Sequence, residues 1–330
     1  MKYTVYIFAL LSTILAKTVY IIPIQGTIDL GLPPFIERVI SEAEENNADG
    51  IIFDIDTFGG RVDAATQIKD AVLDAKLLTV AFINRRAISA GALISLSCEK
   101  IFITGGGTIG AATAVDMSGN KGSEKVISYM REEMASTAEK RGRSIVIAKG
   151  MVDEELSFTH LVVDGDSVLV EDLEGRKEGK LITLTTDQAL KYNIADGESE
   201  TLEGVLKILD FETAEIKNAS INWSERIVRF LTDPVVASLL MSFGFLGILF
   251  ELQSPGWGIP GTFGAVCLTL SLGASSIAEL ATMTDFLIII AGLALLFVEG
   301  FLIPGFGIAG ISGIIILVWG LYELLLPDSP

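Results

Sequence analysis

The sequence predicts an α/β domain on a largely parallel sheet, followed by an all-α, multi-span membrane domain. Three observations carry that prediction. β-branched apolar runs alternate with helix-period segments from Thr18 to Thr104, the pattern of βαβ units joined by right-handed crossovers. Hydrophobic residues, 50% of the chain, gather at the N-terminus and in the last third, as membrane segments would require. No Lys or Arg follows Arg229, and the apolar runs beyond it are punctuated only by acids, Glu251, Glu279, Asp285, Glu299 and Glu323.

Residues 1–16 carry Lys2 and then an apolar run from Val5 to Leu15, with Ala16 placed as the last residue before cleavage. This reads as a secretory signal, although Ile14 at the −3 position fits the small-residue rule poorly. The alternative is an uncleaved signal anchor, and both readings export the α/β domain. Thr18–Gln25 is the first strand. Pro33–Asn47 has helical period. Gly50–Asp56 is a second strand ending near Gly59-Gly60. Asp63–Lys76 is a helix with Ala65, Ile68, Ala71 and Val72 on one face. Leu78–Asn84 is a third strand leading to Ser89, Ala90–Cys98 the helix behind it, and Lys100–Thr104 a short strand before Gly105-Gly106-Gly107. Ser123–Arg141 is a long mixed-charge helix. Leu161–Val170 and Lys180–Leu184 read as strands around a charged turn. Thr185–Tyr192 is a helix with a Thr-Asp start, and Thr201–Leu209 another. Ala214–Arg229 reads as an amphipathic helix on the membrane surface, with Trp223 as interfacial anchor.

Val235–Leu252, Phe263–Ala281, Phe286–Ile303 and Ile308–Leu325 are each close to the roughly 20 residues a spanning helix needs. Gly273, Ser275, Ser276 and Glu279 weaken the second. A repeat lies across them: Pro255-Gly256-Trp257-Gly258-Ile259-Pro260-Gly261 matches Pro304-Gly305-Phe306-Gly307-Ile308-Ala309-Gly310, each after a helix carrying a glutamate, Glu251 or Glu299. Turns that start helices at the interface are the favoured reading. Re-entrant elements lining a substrate path are the other. With no cation to count, orientation is left to the exported domain or to chain beyond Pro330. The boundaries are therefore 1–16 signal, 17–212 α/β domain, 213–234 amphipathic juxtamembrane linker and 235–330 membrane domain of about four helices.

The net charge of −18 argues against nucleic acid, which needs a basic surface. Cys98 and Cys267 fall in different domains, so they predict no disulfide and say nothing of compartment.

Ser89, between Ile88 and Ala90-Gly91, is placed as a nucleophile at a tight strand-to-helix turn. A lone serine there is usually a helix cap. Its context is what points to chemistry, because Gly59-Gly60 forms a second turn one βα unit earlier, at the same strand ends. Glycine N–H groups, unobstructed by a Cβ, and the N–H of Ala90 at a helix start could converge on one oxyanion. The chain's single histidine, His160, lies in a strand-like run without an orienting acid, which disfavours a Ser-His-Asp triad. A lysine can act as base if burial or a neighbouring cation lets it lose its proton. Lys125, beside Val126, Ile127 and Tyr129 at the start of the long helix, is the first choice. Lys121, Lys140 and Lys149 are alternatives, and each taken singly reads as a solvated charge.

Gly59-Gly60, Ser89-Ala90-Gly91, Gly105–Gly110 and Leu184–Gly197 resemble the ClpP/crotonase-like superfamily. More narrowly, they resemble the NfeD family of membrane-bound serine proteases, which pair with stomatin-like proteins. The likeness runs through residues 18–209. It implies a repeated ββα spiral and a Ser-Lys dyad. The family's lysine starts a helix ending in Gly-Arg; here that helix runs to Gly142-Arg143, so the role falls on Lys125. Gly59, Gly60 and Ala90 are then the oxyanion donors. The resemblance also implies apolar substrate segments, a stomatin-like membrane partner, a homodimer or larger homo-oligomer, lipid contact, an extracytoplasmic protease domain, and no metal or cofactor. The chain departs from the family where Asp56-Thr57-Phe58-Gly59-Gly60 stands for the frequent Asp-Thr-Pro-Gly-Gly. Arg85-Arg86 before the serine is also unexpected beside an apolar substrate, and could depress a lysine pKa or bind a carboxylate. Full-length relatives often carry an OB-like barrel after the spans, whereas this chain ends at Pro327–Pro330.

The expected function is a membrane-anchored Ser-Lys endopeptidase. An inactive scaffold of membrane microdomains, partnering a stomatin-like protein, is the alternative, slightly favoured by Phe58. A crotonase-like acyl-CoA enzyme is a third reading, disfavoured by export away from cytosolic CoA.

Overall fold

A computed structural model describes residues 17–280 except 116–118, 164 and 253–257, together with parts of 287–319. The signal region lies outside the described residues, as does most of the last two expected spans.

The N-terminal domain begins β1 (Thr18–Ile28), α1 (Leu32–Glu45), β2 (Gly50–Gly60), α2 (Val62–Asp74), β3 (Leu78–Ile88), α3 (Ala90–Ser97), β4 (Lys100–Ile103) and β5 (Thr108–Gly110). It continues α4 (Glu124–Lys140), α5 (Ile145–Gly150), β6 (His160–Val163), β7 (Asp166–Leu169), β8 (Thr183–Thr185), α6 (Thr186–Lys191), β9 (Gly197–Glu198), α7 (Leu202–Ile208) and β10 (Glu215–Asn218). Then come α8 (Trp223–Thr232), α9 (Pro234–Leu252) and α10 (Ile259–Leu280).

The main sheet runs β10-β1-β2-β3-β4-β9 with every pair parallel. Because side chains alternate along a strand, each face acquires its own core. Tyr20, Ile22, Phe53 and Ile83 belong to the core shared with α1, α2 and α3. Val19, Ile21, Ile52, Phe82 and Phe102 belong to the core shared with Val205 and Leu206 of α7. The central strands β1, β2 and β3 are buried on both sides over most of their length, as parallel sheets require.

The C-terminal ends of β1, β2 and β3 break from this regular sheet. Register shifts occur between Gln25 and Thr27 and between Ile55 and Thr57. β3 pairs with β4 through Ile83 and then with β5 from Arg86. β5 in turn pairs antiparallel with β8. The candidate site sits on these displaced strand ends.

Two segments differ from the sequence reading. Residues 161–170 are not one strand: β6 and β7 form an antiparallel hairpin that turns at Gly165, which has φ 89°. Ala214–Arg229 is not one helix: Glu215–Asn218 extends the main sheet as β10, paired with β1 at Thr18–Ile21. Only α8 is helical, with an Asn222/Glu225 capping box at its start. It is docked on α1 through Arg38–Glu225 at 2.6 Å, and Arg229 reaches Asp29 at 2.8 Å. Trp223 and Phe230 remain exposed on α8.

α9 and α10 cross closely because glycines face each other. A Cβ on Gly264 would lie 2.7 Å from Gly244 O and 2.8 Å from Ile248 N, the small-residue contact that brings membrane helices together. Among the described residues no single helix is long and apolar enough to cross a membrane. α8 with α9, bent by 67°, passes that test as a pair.

Candidate active site

Ser89 closes β3 and caps α3, with φ 56° and ψ −119°. That conformation is unfavourable for a residue with a Cβ and costs about 1–3 kcal/mol. It persists because its surroundings fix it. Ser89 N–H donates to Gly110 O of β5 at 2.9 Å, and Ser89 O accepts from Ala92 N–H at 2.9 Å. The sharp turn presents the side chain at the strand-to-helix corner, and among the described residues Ser89 Oγ has no hydrogen-bond partner.

Gly59 lies against this serine. A Cβ there would come within 2.5 Å of Ser89 Cβ and 3.0 Å of Oγ, and the backbone has φ +106°. Both facts demand glycine. The Gly59 N–H, however, is not open: it donates to Thr57 Oγ1 at 2.9 Å. The Ala90 N–H, at the first position of α3, makes no hydrogen bond among the described residues and carries the positive end of the helix dipole. Further along the turn, Arg61 N–H runs to Ile28 O at 2.9 Å, holding the chain to β1 just beyond Gly60.

Thr57, which no sequence motif marks, ties these parts together. Only 1% exposed, it donates from Oγ1 to Gly26 O at 2.5 Å while accepting from Gly59. Its methyl occupies the space a Cβ on Gly91 would need, 2.5 Å from Cγ2. The glycine of Ser-Ala-Gly is thus a packing requirement of Thr57. No local pattern reveals this, because the partners lie about thirty residues apart on either side.

Lys125 stands in the first turn of α4, exposed, with no hydrogen bond or ion pair among the described residues and none to Ser89. It lies one turn before Tyr129, whose hydroxyl is 3.5 Å from Thr66 Oγ1 of α2. The i,i+4 spacing sets Lys125 on that α2-facing side, and α2 starts two residues after Gly60. The other lysines are engaged elsewhere or distant in sequence: Lys121 pairs with Glu154 and Lys149 with Glu132, both at 2.8 Å, and Lys140 ends α4. His160 is exposed in the hairpin, its Nδ1 3.0 Å from Thr159 Oγ1.

The far end of α3 is held by Gly142-Arg143, a pair that in the sequence is only a landmark. Arg143 is 8% exposed. It donates to Leu96 O, Cys98 O, Glu99 O and Ile194 O at 2.9–3.4 Å and pairs with Asp196 at 3.2 Å. Burial lowers its pKa, opposed by the charge of Asp196. Guanidinium charge and donors thus cap the C-terminus of the helix whose N-terminus faces Ser89. Cys98, just after this helix, is buried, and burial pushes its thiol up to about 12, which makes it a packing residue and not a nucleophile. No group of His, Cys, Asp and Glu among the described residues is arranged to hold a metal.

A groove of about 470 Å³ is lined by Phe58, Asn84, Arg85, Arg86, Ile88 and Thr108 among others, and Ser89 is not one of its lining residues.

Two family models match the chain: NfeD1b, N-terminal domain, over residues 18–219, and NfeD integral membrane domain, over residues 235–329. The membrane protein NfeD1b of Bacillus subtilis (strain 168) is 36% identical over 306 residues, spanning 93% of this chain and 67% of that protein. The membrane-bound protease PH1510 of Pyrococcus horikoshii is 28% identical over 322 residues, spanning 94% and 70%. A solved structure of a lysine-to-alanine variant of 1510-N, a membrane-bound stomatin-specific protease in complex with a substrate peptide, matches with a TM-score of 0.53. It is 22% identical and covers 66% of this chain and 99% of that one, a likeness of fold.

Proposed function

The chain belongs to the NfeD family, and from that premise we propose that it is a membrane-anchored serine endopeptidase with a Ser89–Lys125 dyad. One observation carries the reading. Ser89 is held in a costly conformation, its hydroxyl unpartnered among the described residues, against Gly59 and the open N–H of Ala90. Strain of this kind gathers at functional sites.

In the proposed reaction Lys125 takes the proton of Ser89 as Oγ attacks the peptide carbonyl. The developing oxyanion is received by the Ala90 N–H and by Gly59 or Gly60, the carbonyl competing with Thr57 for the Gly59 donor. Lys125 then protonates the leaving amine, and water releases the acyl group by the same route. A lysine is a base only where its charged form is disfavoured, which shielding from water achieves. Since Lys125 is exposed in the single chain, the dyad is completed when substrate, lipid or a second copy covers the start of α4. That need supports a homodimer or larger assembly.

We place the protease domain outside the cytoplasm and the tail in the membrane as a multi-span domain. The substrates are apolar segments. Because 1510-N is described as a stomatin-specific protease, a stomatin-like protein is the proposed partner. The test is labelling of the reconstituted full chain with a fluorophosphonate. Labelling lost in Ser89→Ala and strongly slowed in Lys125→Ala is expected. No labelling of a folded parent chain would favour the scaffold.

A further inference from the structure

We propose that Arg61 leaves Lys125 able to lose its proton, and so to act as base, by holding both carboxylate oxygens of Asp63, the acid opposite that lysine on α2. Arg61 is then a positioning residue for the dyad, and the proposal rests on the dyad reading.

Helices α2 and α4 touch through a ladder of side chains. Lys69 Nζ meets Glu133 Oε2 at 2.7 Å, and one turn earlier the Tyr129 hydroxyl lies 3.5 Å from Thr66 Oγ1. The rungs step back by three residues on α2 and by four on α4, the two kinds of side-chain row along which helices pack. One further step along both rows brings Asp63, in the first turn of α2, opposite Lys125, in the first turn of α4. An ionised carboxylate there would bind the ammonium and favour its charged form. Arg61 stands in the way. Its Nε donates to Asp63 Oδ1 at 3.0 Å and its Nη2 to Oδ2 at 2.6 Å, a fork that engages both oxygens.

The other charges about Lys125 are paired as well. On α4 itself, Glu124 pairs with Arg131 at 3.2 Å, and Glu132 pairs with Lys149 of α5 at 2.8 Å. Lys121, just before the helix, pairs with Glu154 at 2.8 Å. On α2, Lys69 meets Asp70 as well as Glu133, each at 2.7 Å. Helix α3, which packs on α4, carries no charged side chain. Each acid named here therefore has its own cation, and for Asp63 that cation is Arg61. The Arg61–Asp63 pair is not a prop of the fold. Both side chains are 50% exposed, and pairs so placed add little to stability, so Arg61→Ala should fold.

The test is the pH dependence of fluorophosphonate labelling of Ser89 in the reconstituted full chain. The parent's rate is expected to rise with pH along a limb that Lys125→Ala lacks, because only the deprotonated lysine accepts a proton. In Arg61→Ala the released Asp63 favours the ammonium, so the limb moves to higher pH by about one unit. Below the limb labelling is then about tenfold slower, while above it the rate changes by no more than about twofold. Adding Asp63→Asn to Arg61→Ala should return the limb to the parent's position. Arg61→Lys, which keeps a cation beside Asp63, should move it little. A limb unmoved in Arg61→Ala, or moved and not returned by Asp63→Asn, would overturn the proposal. Labelling slowed equally at every pH would also overturn it, and would make Arg61 a prop of the Gly59-Gly60 turn. A limb that persists in Lys125→Ala would instead defeat the dyad reading, and the proposal with it.

Discussion

Thr57 is the residue on which the geometry around Ser89 turns. It holds the Gly59 N–H, anchors to Gly26 and fills the space beside Gly91 with its methyl. Gly91→Ala forces a Cβ to within 2.5 Å of that methyl, an overpacking that costs about 1–3 kcal/mol in thermal or denaturant unfolding. Thr57→Ser keeps the hydroxyl and removes the methyl, so adding it to Gly91→Ala should restore most of the loss. If the double variant is no more stable than Gly91→Ala, the clash is not the reason for the glycine. The nearness of Ser89 to the glycine turn is legible in the sequence, since both follow strands of one parallel sheet. The role of Thr57 is not, because its meaning depends on contacts across the chain. The occupation of the Gly59 donor is hidden for the same reason.

At the scale of elements, α3 is an eight-residue helix, too short to hold itself, and it depends on its ends. Arg143 supplies the C-terminal one. Arg143→Ala removes a buried charge that faces four carbonyls and Asp196, and should cost about 3 kcal/mol. Arg143→Lys should recover only part, because an ammonium cannot reproduce the fork. Equal stability of all three proteins would mean that the cap contributes nothing. Helices α1, α2 and α4 are readable in the sequence because each buries one periodic face. β5, β9 and β10 have two to four residues and exist through partners far along the chain, so no local period announces them. In the sequence β10 merges into the amphipathic pattern of α8 for this reason. The 160–169 hairpin reads as one strand because its turn rests on a single glycine at positive φ.

Across the whole molecule, the α/β domain is joined to the NfeD integral membrane domain by α8, whose Arg38–Glu225 and Arg229–Asp29 ion pairs tie it to α1 and the chain just before it. In the membrane part the repeat legible in the sequence acquires a structural meaning. Glu251, 6% exposed, accepts from the N–H groups of Gly258 and Gly261. Glu299, 5% exposed, accepts from those of Gly307 and Gly310 in the second copy. Each carboxylate satisfies backbone donors where the next helix starts, a need that becomes acute without water. Glu251→Gln and Glu299→Gln should each lower thermal stability in lipid by a similar amount, about 1–3 kcal/mol. A large effect at one site and none at the other would break the equivalence of the two copies.

That Ser89 and Lys125 act as one unit is the central claim, and its most direct measurement is kcat/KM for an apolar peptide by the reconstituted full chain. The parent, Ser89→Ala, Lys125→Ala and the double variant are compared. Each single variant is predicted to fall by about a thousandfold or more, and the double to fall no further, as residues acting together do. Activity retained in Lys125→Ala while Ser89→Ala is dead would contradict the dyad and pass the base to another residue.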